Sequence, residues 1–351
     1  MDLNFLPSLN SRQLAMDLGT ANTRIYVPGE GMVVDEPSVI AVETVNGIDQ
    51  VRAVGTDAKL LMGRTGDNIR TLRPLSAGVI KDLDFAEKLI RYFLGKALGG
   101  RPLLSRGPEL VIGIPSASTE VERRIVHAAA LNAGAREVWL IEEPLAAAIG
   151  ADLPVDEPIG SMIVDIGGGT TEVAIIALKQ LTYTVSERVG GDKMDEAIAA
   201  FMRTCHNMEV GLVTAERIKH ELASAAITDE GRLVVGHAGG RDVTTGALIE
   251  KEVSQADLAE ALQDVVQQIV AIVADALSHA SPEIASDIIS HGFVLAGGGA
   301  MLRDMDVVLR EATGLPVRLA DDPRHCVAIG AARALTHEQY RTELHTTSGA
   351  I

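Results

Sequence analysis

Short apolar runs separated by turn residues open the chain. Residues 14–18, 24–27, 32–34 and 38–42 are apolar or alternating between Gly, Asn and Pro, a spacing that predicts four strands in a β-meander. The period then changes. Across 84–98 the apolar positions Phe85, Leu89, Ile90, Phe93 and Leu94 recur at helical intervals and stop at Gly99-Gly100. A buried-type strand at 110–114 ends at Pro115, and a helix over 119–133 closes at Gly134. A strand at 138–141 then leads to Pro144, which opens a helix over 145–149.

Residues 153–160 are rich in Pro and acidic side chains, as a linker reads, and the pattern restarts after them. Strands are expected over 161–166, 172–178 and 181–189, helices over 193–204 and 214–225, and a turn-rich, strand-like insertion over 232–248. Ser254, with Asp257 three residues on, forms a capping box for a long helix ending near His279. A strand at 293–295 runs into Gly297-Gly298-Gly299 and a further helix. The halves share one device. Asp17-Leu18-Gly19-Thr20-Ala21-Asn22-Thr23-Arg24-Ile25 matches Asp165-Ile166-Gly167-Gly168-Gly169-Thr170-Thr171-Glu172-Val173. Each copy has Asp near a strand end, an apolar residue, Gly, a turn of small or polar residues, Thr and an outgoing strand. Two similar α/β halves, each opening with the same β-turn-β, is the economical reading.

Composition narrows the class. A chain of 351 residues predicts two domains with subdomains. With 47% hydrophobic and 23% charged residues, disorder of the bulk is excluded. Aromatics are only 3%, so the core must be built from Ala, Val, Ile and Leu. A net charge of −17 without a basic block repels a phosphate backbone, which argues against nucleic acid as a partner. Cys205 and Cys326 sit in no metal-type spacing and read as small buried apolar residues in a reducing compartment. No run reaches about 18 uninterrupted apolar residues. The first residues lack the basic, apolar and small-residue order of a secretory signal, so a cytoplasmic protein is expected.

The chemistry lies in the turns. A glycine-rich turn can aim several backbone N–H groups at one point and make an anion nest. A carboxylate cannot bind phosphate directly, so Asp17 and Asp165 make sense if a Mg²⁺, keeping several waters, lies between them and phosphates. Two such turns facing each other would clamp a triphosphate; the alternative is a pair of ordinary hairpin turns. There is no Gly-x-x-x-x-Gly-Lys-Ser/Thr and no Gly-x-Gly-x-x-Gly. Gly297-Gly298-Gly299-Ala300 forms a strand–helix corner, either simple packing or bare backbone for a base or ribose. Glu216 and Lys219 share a helix face, as a surface pair or as contacts to a ribose and an adenine edge. Glu143 stands at the entrance of the Pro144 helix. It is either a carboxylate settled by the helix dipole or one that orients an attacking water.

Together these residues resemble the MreB family of bacterial actins, within the superfamily of actin, sugar kinases and heat-shock chaperone ATPases. The similarity is carried by residues 17–23, 68–74 with Gly78-Val79-Ile80, 121–124, 133–138, 141–144 and above all 160–172. Gly190-Gly191-Asp192, residues 214–219 and 295–300 complete it, so about residues 14–335 are covered. The resemblance implies an α/β actin-like fold of two RNase H-like lobes, each with a smaller inserted subdomain, around an ATP cleft. It implies subdomain IA over 1–37, 72–150 and 321–345, IB over 38–71, IIA over 151–186 and 252–320, and IIB over 187–251. It further implies a weak ATPase coupled to turnover of membrane-bound, paired protofilaments that organise cell-wall elongation. The implied partners are copies of the chain, the inner membrane surface and membrane-bound cell-wall proteins. Carried over by position, Asp17, Gly19, Thr20, Ala21 and Asn22 form the first phosphate loop and Gly167, Gly168 and Gly169 the second, flanked by Gly191 and Asp192. Glu216, Arg217, Ile218 and Lys219, with Gly297, Gly298, Gly299, Ala300 and Met301, hold the nucleoside. Glu143 and Thr170 position the water, and Asp17 and Asp165 hold Mg²⁺ through its waters.

Two stretches depart from the family pattern: residues 1–13, in place of a basic amphipathic helix, and the glycine-rich 231–250. A specialised paralogue positioning another cellular structure fits the same motifs. A small-molecule kinase would need a base and a sugar pocket, for which no motif is found. A chaperone would need a further peptide-binding domain. One loop, 99–108, carries Leu103 and Leu104 between Arg101 and Arg106. These leucines either begin the next strand or dip into a lipid headgroup region, where family members insert an apolar loop.

Overall fold

The computed structural model describes residues 12–66, 68–99 and 107–346. Two five-stranded sheets form its frame and have one design. In the first, Gln13–Leu18 is central, antiparallel to Asn22–Val27 on one side and parallel to Glu109–Ile114 on the other. Gly31–Pro37 and Glu137–Glu142 are the edges. In the second, Ser161–Ile166 is central, antiparallel to Thr171–Ala177 and parallel to Phe293–Ala296, with Gln180–Glu187 and Val317–Leu319 at the edges. The internal repeat is therefore a repeat of topology.

Both central strands are buried on both faces, which is why they read as continuous apolar runs. Their alternate residues serve different cores. Leu14, Met16 and Leu18 join a cluster with the helices Leu83–Ala97 and Glu120–Ala133, whereas Ala15 faces the other way. In the second lobe Met162, Val164 and Ile166 pack on the helix Gln255–Ser278, whereas Ile163 faces away. Ala15 and Ile163 meet in a shared layer between the sheets, filled by the helices Glu143–Gly150 and Cys326–Thr336.

That layer is made of small residues. Ala146, Ala147, Ala148, Ala331, Ala332 and Ala334 are buried in it, and two glycines set the spacing. A Cβ on Gly150 would lie 1.9 Å from the Cys326 carbonyl oxygen, and one on Gly330 1.8 Å from that of Ala146. The helices cross backbone to backbone.

Several expectations change. The fourth strand, Ile40–Val45, leaves the meander and pairs with Ile48–Val54 and Ile69–Leu72 in a separate three-stranded sheet. The 232–248 insertion is a hairpin, Val235–Asp242 with Leu248–Ser254, edged by Met208–Glu209. The glycine corner enters a 3₁₀ turn, Gly299–Met301, and the chain breaks again at Asp304 (φ 61°) before the helix Met305–Thr313 begins. Cys205 is exposed at a helix end; Cys326 is buried as expected, and burial pushes its thiol up to about 12. Gln255–Ser278 is long and apolar enough to cross a membrane, but Leu258, Leu262, Val266, Ile269 and Val273 make it the central helix of the second lobe's core. The expected capping box forms at Ser254 with Asp257, and a second, not anticipated, forms at Thr119 with Glu122.

The small-residue crossing makes a prediction. Gly330→Ala should lower stability by about 1–3 kcal/mol in urea titration, because the obstructing atom is backbone and cannot swing away. Gly95→Ala, within the helix Leu83–Ala97 with nothing near its added Cβ, should be neutral or stabilising. Equal effects of the two substitutions would contradict the crossing geometry.

Candidate functional site

The two repeated turns end on each other. A Cβ added to Gly168 would lie 2.5 Å from that of Ala21, and one on Gly169 would lie 2.9 Å from the Thr20 hydroxyl. Neither glycine has room for a side chain. Each turn is braced from its own lobe. Ser38, fully buried, donates from its hydroxyl to the Gly19 carbonyl at 2.7 Å, and its N–H donates to the Ala21 carbonyl at 2.9 Å. The Gly78 N–H donates to Thr20 Oγ1 at 2.8 Å. In the second turn the Gly167 and Gly168 carbonyls accept from the N–H groups of Gly191 and Asp192, the first residues of the helix Gly191–Cys205. The turns thus stand as rigid walls of a cleft of about 550 Å³.

That cleft gathers most of the residues singled out in the sequence. Asp17, Gly19, Thr20, Ala21 and Asn22 line it from one side, and Asp165, Gly167, Gly168, Gly169 and Thr170 from the other. Glu143, Gly191, Asp192, Glu216, Lys219, Gly297, Gly298, Gly299 and Met301 also line it. Three expected residues do not. Arg217 is half-exposed and paired with Glu221, and Ile218 and Ala300 are buried in the second lobe's core. Positions one step apart on a helix or tight turn point in different directions, so a contiguous run cannot all face one ligand. The glycine corner is also more specific than expected. Gly297 (φ +83°) would set a Cβ 2.3 Å from Asp165 Oδ1, and Gly299 one 2.5 Å from Ile166 Cγ2. Both are glycine so that the corner can close on the second turn; Gly298 alone faces open space. Leu103 and Leu104 lie outside the described residues.

The electrostatics of the two copies differ. In the first, Asp17 lies opposite Arg24 in the strand pair, and Arg24 bonds it at 2.9 Å while also reaching Asp35 at 3.2 Å. In the second, Asp165 lies opposite Glu172, a carboxylate against a carboxylate. Burial, reinforced by Asp17 and Glu172, pushes Asp165 up to about 7. Burial and then Glu172, Asp17 and Asp165 raise Glu143 well above the ordinary range. Gly113 makes room for two side chains: a Cβ there would lie 2.8 Å from Val327 Cγ1 and 3.3 Å from Glu143 Cγ. A floor of three carboxylates is therefore one positive charge or more short of balance. Among the described residues, no three acidic, His or Cys side chains converge closely enough to ligate a metal directly.

The upper rim is bridged across the lobes. Lys59 pairs with Glu216 and Arg73 with Asp192, each at 2.7 Å. Lys219 is held by Asp195 at 2.7 Å and donates to the Gly191 carbonyl at 2.9 Å. Asp195, Arg24 and Gly78 line the cleft without having been expected there. Arg24 carried a signal, since the hairpin register sets it opposite Asp17. Asp195 carried none, because its partner lies on another helix.

Two lobes of one topology, joined by a shared helix layer and facing turns, define an actin-like fold with a cleft between the lobes. The family model described as MreB/Mbl protein matches residues 11–343. The cell shape-determining protein MreB of Pasteurella multocida is 47% identical over 331 residues, covering 93% of each chain. MreB5 of Spiroplasma citri bound to AMPPNP superimposes with a TM-score of 0.87 at 31% identity, over 95% of this chain and 97% of that one. A MamK double helical filament, at 20% identity and a TM-score of 0.75 over 93% and 99% of the two chains, shares the fold. The chain belongs to the MreB/Mbl family of actin-like cell-shape proteins.

The carboxylate floor sets a pH dependence. A carboxyl whose folded pKa exceeds its unfolded one binds its proton more tightly when folded. It therefore favours the fold at low pH and costs stability as pH rises from about 3.8 through about 7. Without ligand, Asp165→Asn should flatten the loss of stability between pH 4 and pH 8 by on the order of 2–4 kcal/mol. An unchanged slope in urea titrations at the two pH values would show that Asp165 ionises freely.

Proposed function

We propose that this chain is an ATP-driven cytoskeletal filament protein that binds Mg²⁺-ATP between its two glycine turns. The observation that carries this reading is the contact of Thr20 and Ala21 with Gly168 and Gly169, which aims two backbone nests at one point between carboxylates. The Spiroplasma citri relative was crystallised with AMPPNP and with ADP, which supports a nucleotide here. The phosphates lie against residues 19–22 and 167–169. The nucleoside lies toward Glu216, Lys219 and the run from Gly298 to Met301.

The carboxylate floor fits a magnesium held through its waters, with Asp165, among the described residues, a carboxylate without an ion-pair partner of its own and Asp17 beside it. Bound there, the ion supplies positive charge to the phosphates. Glu143, at the first turn of its helix and facing the cleft, orients the attacking water together with Thr170. Its protonation, favoured by burial, must be reversed for it to accept from that water. Hydrolysis is slow and times filament disassembly.

The sheets support a division into four subdomains. The two five-stranded sheets support IA over 1–37, 72–150 and 321–345 and IIA over 151–186 and 252–320. The smaller sheets support IB over 38–71 and IIB over 187–251. Copies of the chain assemble into paired protofilaments at the cytoplasmic face of the membrane, where they guide the cell-wall elongation machinery. Leu103 and Leu104 are the membrane contact. One leucine pair contributes at most ~3–6 kcal/mol, too little to hold a monomer firmly, but its repetition along a filament adds avidity.

Three measurements test this reading. Purified protein should scatter light and pellet on addition of ATP and magnesium; a protein that stays dispersed under all nucleotides would refute the filament. Glu143→Ala should bind ATP as before but release phosphate on the order of 10²–10⁴ more slowly. Parent-rate release would leave Glu143 as a helix-entrance carboxylate only. Polymer, but not monomer, should cosediment with anionic vesicles, and Leu103→Ser with Leu104→Ser should abolish this while sparing ATP binding. Undiminished pelleting of the double variant would move the anchor elsewhere in the chain.

A further inference from the structure

The base end of the cleft lacks the usual platform for a purine. No Phe, Tyr or Trp is among the described residues that line it, and His220 is its single ring. Its cations are mostly committed: Arg24 to Asp17 and Asp35, and Lys219 to Asp195. Among the described residues, Arg303 and Arg324 line the same space with no side-chain partner.

Of these two, Arg324 is the better placed and the better held. It follows Pro323, whose carbonyl accepts the Gly297 N–H at 2.7 Å, so its backbone is docked on the glycine corner. It precedes His325, whose ring nitrogens contact Asp322 at 2.7 Å and Asp35 at 3.1 Å and so fix the turn from the other side. Across the cleft stands His220, whose pKa is lowered first by burial, then by Lys219, with Arg324 among the smaller causes. The two side chains are thus within charge range of each other, one from each lobe.

We propose that Arg324 is a base-binding residue on which the base of the bound nucleotide stacks, its guanidinium supplying the flat face that no aromatic side chain provides. A guanidinium is planar and weakly hydrated, and it lies well on a π-face; an ammonium group has the charge but not the plane. Stacking of this kind tolerates any purine and contributes nothing to phosphates. Because it approaches from the first lobe while Glu216, Lys219 and His220 approach from the second, a base held between them ties the lobes together.

This inference rests on the nucleotide reading of the cleft, and its test separates the two. Calorimetric titrations with ADP and with pyrophosphate, both with magnesium, are compared for the parent, Arg324→Leu and Arg324→Lys. Arg324 is exposed, and unchanged thermal melting of the variants establishes that they fold. Arg324→Leu should weaken ADP roughly three- to thirty-fold, leave pyrophosphate unchanged, and not be fully rescued by Arg324→Lys. ADP bound as tightly as by the parent overturns the proposal. So does an equal loss for pyrophosphate, or full rescue by lysine, either of which makes Arg324 a simple charge. A parent that binds neither ligand would instead defeat the nucleotide reading itself.

Discussion

The crossing of two short helices at Gly150 and Gly330 is the constraint on which the rest of the molecule depends. With less than 2 Å between a would-be Cβ and the facing carbonyl, the helices lie as close as backbones can. Their alanine faces let both sheets approach from either side, so Ala15 and Ile163 share one apolar layer. Only with the sheets at that separation can the turns that follow Leu18 and Ile166 touch. A chain with 3% aromatic residues suits this design: a layer built of Ala and Gly is thin, and its thinness holds the lobes in register.

Closeness has an electrostatic cost. Bringing the turns together also brings Asp17, Asp165 and Glu143 into one poorly hydrated space, and the two copies of the repeat meet that cost unequally. Arg24 balances Asp17; Glu172 aggravates Asp165. The asymmetry gives the cleft a direction, with its charge deficit on the second lobe beside Glu143. Higher up, Lys59 with Glu216 and Arg73 with Asp192 join the smaller parts of the lobes, so a ligand entering the cleft meets a frame already closed at floor and rim.

Much of this was readable from residue order, because local rules governed it. The Asp-apolar-Gly turns, the capping box at Ser254, the Gly134 helix end and the doubly apolar strands are set by neighbours in sequence. What escaped depended on distant contacts. Nothing within residues 38–45 says that Ile40–Val45 will pair with Ile69–Leu72 rather than continue the meander. The glycines at 297 and 299 read either as corner packing or as bare backbone for a ligand; they are glycine because Asp165 and Ile166 press on them. Arg217, Ile218 and Ala300 sit inside matching runs, yet the turn of the helix or loop carries them off the cleft. Gly113 was unremarked, since its reason is side chains from other elements, Val327 and Glu143.

The central claim is that the two turns act as one clamp on one ligand. Amide hydrogen exchange with and without magnesium and ADP addresses it directly, at Thr20, Ala21 and Asn22 in the first turn and Gly168 and Gly169 in the second. Both sets of amides should slow together, at the same ligand concentration, because each turn is already braced and only their shared ligand changes. Protection confined to one turn, or arising at two different concentrations, would contradict a joint clamp.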